Sequence, residues 1–148
     1  MSTEILTTIS PSTNTAVRTR EGPTFDQLRQ LPQTAQTAFI SYRKTELSER
    51  QKIVKKALQL LHDKRHALSK ELTEQMGRPV AYTEKEITTA IARGEYMLKI
   101  SSDALKDQPG EPEAGFQRWI KRYPVGPVLI LFAWNVCNPG SLRNWQRF

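Results

Sequence analysis

The segment that most limits the fold of this chain is Val128-Leu129-Ile130-Leu131-Phe132, a continuous apolar run set off by Pro124-Val125-Gly126-Pro127. A strand with one face in water alternates polar and apolar residues, whereas a run without alternation expects cover on both faces, as in a parallel sheet. Extended to Trp134, the run still falls far short of the roughly 20 apolar residues of a membrane-spanning helix. No membrane span is expected. Helices followed by a doubly covered strand point to an α/β fold with an open parallel sheet, where ligands collect beyond the carboxyl ends of the strands. Ala133-Trp134-Asn135 stands at that end.

Upstream of the run the signals are helical. Thr24-Phe25-Asp26-Gln27 has the spacing of a capping box, in which hydroxyl and amide side chains satisfy two orphan backbone donors, so a short helix is expected to start there. Pro32 suits a first helical position better than an interior one, so a second helix is expected from about Pro32 to Lys44, with Ala35, Ala38, Phe39 and Tyr42 inward. A single long helix is predicted between a box at Ser48-Glu49-Arg50-Gln51 and the stop Gly77-Arg78-Pro79. Its stripe is Val54, Leu58, Leu61, Leu68, Leu72 and Met76, with Arg65 snorkelling at the edge. A third box, Thr83-Glu84-Lys85-Glu86, opens a helix whose inner face is Ile87, Ala90, Ile91, Gly94, Leu98 and Leu105. Beyond the Gln108-Pro109-Gly110 turn, Phe116 to Tyr123 reads as a strand with mixed faces. Residues 1–23, rich in Ser, Thr and Pro, form an arm that must pack on something else.

Composition narrows the function classes. Apolar residues make up 38% and charged residues 25% of the 148, which is compatible with a modest core. Twenty-two basic against 15 acidic side chains leave +7. The lysines of the long segment, Lys52, Lys55, Lys56, Lys64 and Lys70, alternate with Glu49, Asp63, Glu71 and Glu74 and lack exposed aromatics for base stacking. A solvated face is the reading, and nucleic-acid binding stays an alternative, as does a basic helical module that docks on other subunits. The one cysteine, Cys137, excludes an internal disulfide, and Met1 to Ser10 has no signal-peptide pattern, so a cytoplasmic location is expected.

Other candidate sites are poorer. His62 and His66 stand four apart, the spacing of two metal ligands on a helix, but no third ligand is apparent and Lys64 and Arg65 disfavour a cation. No metal is expected. Asp103, Asp107, Glu111 and Glu113 flank a turn without an apolar pocket to shift either proton affinity. The seven glycines form no G-x-G-x-x-G cluster.

The stretch Arg122-Tyr123-Pro124-Val125-Gly126-Pro127, the apolar strand and Ala133-Trp134-Asn135 resemble the NAD(P)-dependent aldehyde dehydrogenases. There the pattern is a basic residue, Pro and Gly, a hydrophobic strand, then Pro-Trp-Asn. The segment ending in Glu74-Gln75-Met76-Gly77-Arg78-Pro79 is similar to that family's N-terminal helix. The likeness covers roughly residues 10–135. It implies the N-terminal helical portion of that fold, with a few strands and an incomplete Rossmann-like cofactor domain. It divides the chain into an arm (1–23), a partial domain (24–135) and a divergent tail (136–148).

By this resemblance Asn135 is the asparagine whose amide, with a backbone N–H of the catalytic cysteine, stabilises the oxyanion formed when thiolate attacks an aldehyde. Leu131, Phe132, Ala133 and Trp134 match positions lining the nicotinamide side of an NAD or NADP cleft. Ala133 replaces the usual proline. The implied substrate is an aldehyde oxidised to a carboxylic acid, and the strand from Phe116 to Tyr123 resembles a subunit-bridging hairpin of a homo-oligomer. The nucleophile, general base and most of the cofactor site belong to the family's remaining length, so no turnover is expected from these residues alone. Cys137, two positions past Asn135, is not the nucleophile. The pattern breaks before Val136, and every valine codon begins with the GT that opens most introns. The tail is therefore expected to be read-through of an unspliced intron.

Overall fold

The computed structural model describes residues 4–131. Its elements, in chain order, are β1 (Ile5–Ile9), β2 (Ala16–Glu21), α1 (Phe25–Tyr42), α2 (Leu47–Asp63), α3 (Arg65–Met76), α4 (Val80–Ala104), β3 (Gln108–Pro109) and β4 (Trp119–Ile120). Helices dominate, and the strands of the described residues form two antiparallel pairs. This is the helix-rich portion expected of the fold.

The arm is a hairpin. Its register runs from Ile5 opposite Glu21 to Thr8 opposite Arg18, then shifts so that Ile9 faces Ala16, which leaves Val17 as the extra residue of a bulge on β2. Asn14 turns the loop at φ 56°, a left-handed conformation that Asn tolerates better than most residues. The hairpin meets the helical part through Arg18 and Pro11. Arg18 Nε lies 3.2 Å from Glu71 Oε1, and Pro11 closes on Gly77, where an added Cβ would come within 2.7 Å of the proline Cγ.

α1 starts as the sequence indicates: the Gln27 backbone N–H donates to Thr24 Oγ1 at 3.2 Å, and the Thr24 N–H donates to Gln27 Oε1 at 2.8 Å. It does not stop at Pro32. Pro32 lies inside one continuous helix rather than opening a second. The helix loses one N–H donor there, and Ala, Gln, Leu and Arg on either side sustain it. The expected inner face is not covered: none of the residues of α1 is buried, and Phe39 is half-buried with Arg43 over its ring at 5.9 Å.

The single long helix is two. Lys64, at φ −94° and ψ 5°, leaves helical geometry, and Arg65 Nη1 donates to the carbonyl of His62 across the break at 3.1 Å. The box at Ser48 is also absent: α2 begins at Leu47, capped by Glu46 without a side-chain bond. The residues of that box are committed elsewhere. Glu49 takes Lys52 at 2.7 Å, and Gln51 Nε2 donates to Ser101 Oγ of α4 at 2.7 Å. The stop at Gly77 forms as expected, in the left-handed conformation at φ 72° with its N–H on Thr73 O.

α4 packs against both halves. Leu58 of α2 sits over Gly94 and Ala90, with Val54, Leu61 and Leu98 around it. A Cβ on Gly94 would come within 2.5 Å of Leu58 Cδ2, so the absence of a side chain there lets the two backbones approach. The expected inner face of α4 is buried at Ile87, Ala90, Ile91 and Gly94, whereas Leu105 stays exposed. The third capping box is not one: α4 begins at Val80, and Thr83 is fully buried inside it. Its Oγ1 shares a hydrogen bond with Ser69 Oγ at 2.7 Å and with Thr73 Oγ1 at 3.2 Å, and donates to Val80 O. Thr83 thus fastens α3 to α4 instead of capping.

The strand predicted over Phe116 to Tyr123 is reduced to Trp119–Ile120, paired with Gln108–Pro109. The doubly covered strand is likewise not formed over the described part of its run. Residues 128–131 carry no strand pairing, and Leu129 and Leu131 are 84% and 86% exposed. A parallel strand requires a neighbour brought by a crossover connection, and the described residues contain none.

Candidate functional site

The approach to the site begins at β4. Gly110 N–H donates to Arg118 O at 2.7 Å, and Arg118 forms an ion pair with Glu113, which closes the β3–β4 hairpin. The chain then runs through exposed Lys121, Arg122 and Tyr123 to Gly126. Gly126 has φ 120°, a conformation that L side chains rarely adopt, and nothing lies within 4 Å of a Cβ built there. Backbone conformation, not crowding, is what calls for glycine at the Pro-Val-Gly-Pro step.

Of the residues the sequence assigns to the site, only Leu131 lies within the described part of the chain, and its side chain faces solvent. Phe132, Ala133, Trp134, Asn135 and Cys137 lie outside the described residues. The described residues therefore do not by themselves form a seat for a dinucleotide.

The remaining candidates resolve on geometry. His62 ends α2 and His66 belongs to α3, so the break at Lys64 removes the shared helical face that the four-residue spacing implied. His66 Nδ1 lies 3.4 Å from Glu84 Oε1, a carboxylate also approached by Arg65 Nε at 3.5 Å, and His62 Nδ1 lies 3.6 Å from Asp63. Among the described residues no three His, Cys, Asp or Glu side chains converge as a metal site. The acidic residues beside the β3 turn are exposed, and Glu113 is held by Arg118. No described helix is long and apolar enough to cross a membrane.

Sequence reading missed one polar feature, the Ser69–Thr73–Thr83 hydroxyl cluster between α3 and α4. Its signal was present: Ser69 and Thr73 stand four apart beside the apolar stripe, on the side that meets the next helix. A shallow groove between α2 and α4, floored by Leu58, Ile91 and Leu98, also went unread. Lys52, Lys55, Lys99, Glu95, His62 and Ser48 also line it.

Comparison with known proteins places these elements. The sequence model of the aldehyde dehydrogenase family matches residues 1–145, a span that includes positions 136–145 of the segment set apart as a tail. The N-succinylglutamate 5-semialdehyde dehydrogenase of Chromobacterium violaceum is 24% identical over 144 residues, 95% of this chain and 28% of that protein. Among solved structures, the succinic semialdehyde dehydrogenase of Streptococcus pyogenes, in complex with NADP+, superposes with a TM-score of 0.68 at 23% identity. That superposition covers 76% of this chain and 25% of the other. The NAD-dependent benzaldehyde dehydrogenase of Corynebacterium glutamicum gives 0.67 at 18% identity, over 76% of this chain and 24% of its own. The chain thus spans about a quarter of the length of the relatives it matches.

Proposed function

The chain belongs to the aldehyde dehydrogenase family, and from that premise we propose that it carries the oxyanion-binding asparagine of an enzyme that oxidises aldehydes to carboxylic acids with NAD or NADP. The observation that carries the reading is the family match across residues 1–145, which takes in the basic-Pro-Gly-strand-Trp-Asn pattern ending at Asn135. Relatives of both cofactor types share the fold, so either dinucleotide suits the reading.

The task of Asn135 follows from charge. As a nucleophile adds to an aldehyde, negative charge grows on the carbonyl oxygen, and a neutral amide N–H held near that oxygen stabilises it without the cost of desolvating a cation. Leu131, Phe132, Ala133 and Trp134 would line the nicotinamide side of the dinucleotide cleft. Cys137 does not serve as nucleophile in this reading, so the 148 residues by themselves are inert toward aldehydes. The exposed side chains of Phe116, Trp119, Ile120 and Tyr123 support a role for the β3–β4 hairpin in contacts between subunits.

The test is a chimera in which residues 1–135 replace the matching portion of the Streptococcus pyogenes enzyme. With Asn135 in place it should form NADPH from aldehyde. Asn135→Ala should then lower kcat by about 100- to 1,000-fold, equivalent to about 2.7–4 kcal/mol, with little change in KM. An active chimera indifferent to that substitution would remove Asn135 from the oxyanion role. Aldehyde-dependent turnover by the 148-residue chain itself would overturn its inertness.

A further inference from the structure

The two edges of the N-terminal hairpin are protected very unequally. β2 carries Arg18, Arg20 and Glu21 and is bent by the bulge at Val17, features that discourage pairing with another strand. β1, Ile5-Leu6-Thr7-Thr8-Ile9, has no charge, no proline and no extra residue, and Ile5, Leu6 and Ile9 are exposed. Its backbone is also open. Gly22 N–H donates to Glu4 O and Ser10 N–H to Thr15 O, so Glu4, Leu6, Thr8 and Ser10 turn their backbone groups toward β2. By the alternation of an antiparallel ladder, Ile5, Thr7 and Ile9 turn theirs outward, and no described residue bonds to them there.

We infer that β1 pairs with β1 of a second copy of this chain, antiparallel about a two-fold axis at Thr7, to give a four-stranded sheet in the order β2-β1-β1-β2. The register is self-complementary. A two-fold at Thr7 places Ile5 opposite Ile9 of the other copy, Thr7 opposite Thr7 and Ile9 opposite Ile5, so the three outward-facing residues of each strand meet as hydrogen-bonded pairs. The same register sets isoleucine against isoleucine and threonine against threonine on one face, pairings that stabilise sheets. A partner of opposite charge is not required: the joining strand is uncharged, and in the arm of residues 1–23 Arg18 and Arg20 are balanced by Glu4 and Glu21, so the surplus of +7 lies elsewhere in the chain. Growth ends at two copies, because the outer edges of the new sheet are the charged, bulged β2 strands. This interface is separate from the β3–β4 hairpin and does not depend on the aldehyde chemistry.

Sedimentation equilibrium of the full 148-residue chain, carrying Leu129→Lys and Leu131→Lys to remove association through that exposed apolar segment, should show a monomer–dimer equilibrium. Thr7→Pro removes an outward N–H while sparing the ladder to β2, and should weaken dimerisation at least tenfold with an unchanged circular dichroism spectrum. In a Cys137→Ser background, Thr7→Cys should oxidise to a cross-linked dimer, since opposed residues of a hydrogen-bonded pair have Cα atoms about 5.5 Å apart, within disulfide reach. Thr19→Cys, one strand further from the axis, should stay monomeric under the same oxidant. Equal cross-linking at both positions, a Thr7→Pro variant that dimerises like the parent, or a parent monomeric at every concentration would each overturn the pairing.

Discussion

Gly94 and Thr83 show how much of this small core rests on single side chains. Gly94→Ala drives a methyl into Leu58, which is buried and has little room to turn, so the substitution should cost about 1–3 kcal/mol in urea unfolding. Combined with Leu58→Ala, which opens the space the methyl needs, the loss should be smaller than the sum of the two single losses. Thr83→Val removes the partner of Ser69 Oγ in a buried position and should cost about 1–3 kcal/mol. The Ser69→Ala, Thr83→Val double variant should recover part of that loss, since the buried Ser69 hydroxyl is then gone and only the half-buried Thr73 hydroxyl loses its partner. A threonine followed three residues later by glutamate is a sound capping signal. Here it misleads because Ser69 and Thr73 offer Thr83 a buried partner that only the packed helices bring near.

At the level of elements, the punctuation at chain turns was legible where one residue decides the geometry. Gly77 takes the left-handed stop, and Thr24 with Gln27 makes the reciprocal cap, as local stereochemistry requires. Interior breaks were less legible, because they depend on what a helix has to reach. α2 and α3 separate at Lys64, which lets Leu58 and Ser69 both meet α4. Pro32 does not separate α1, whose exposed flanks let the helix accommodate the ring. Pro32→Ala should therefore raise the helical signal at 222 nm and stabilise α1 locally by about 3 kcal/mol. Because α1 buries none of its residues, cooperative unfolding of the α2–α4 core should shift much less.

Over the whole molecule the apolar surface is larger than the core. The buried cluster centres on Leu58 and Ala90, whereas Leu129, Leu131, Val125 and Tyr123 are each more than three-quarters exposed. Side chains of this kind gain about 1.5–3 kcal/mol each on full burial, so the segment should drive association beyond the dimer. Light scattering of the chain should rise with concentration, and Leu129→Lys with Leu131→Lys should suppress the rise while leaving the β1 pairing intact. The family was readable from the sequence because its signature is local: a glycine whose φ only glycine favours, an apolar run and a Trp-Asn step. Helix periodicity and the left-handed stop were readable for the same reason, since they depend on neighbours a few positions away. The division of α2 from α3, the hydroxyl cluster, the extent of each strand and the open edge of β1 were decided only in three dimensions. Each depends on a group distant in sequence, and a strand in particular has no hydrogen-bond partner of its own until another segment of chain is placed beside it.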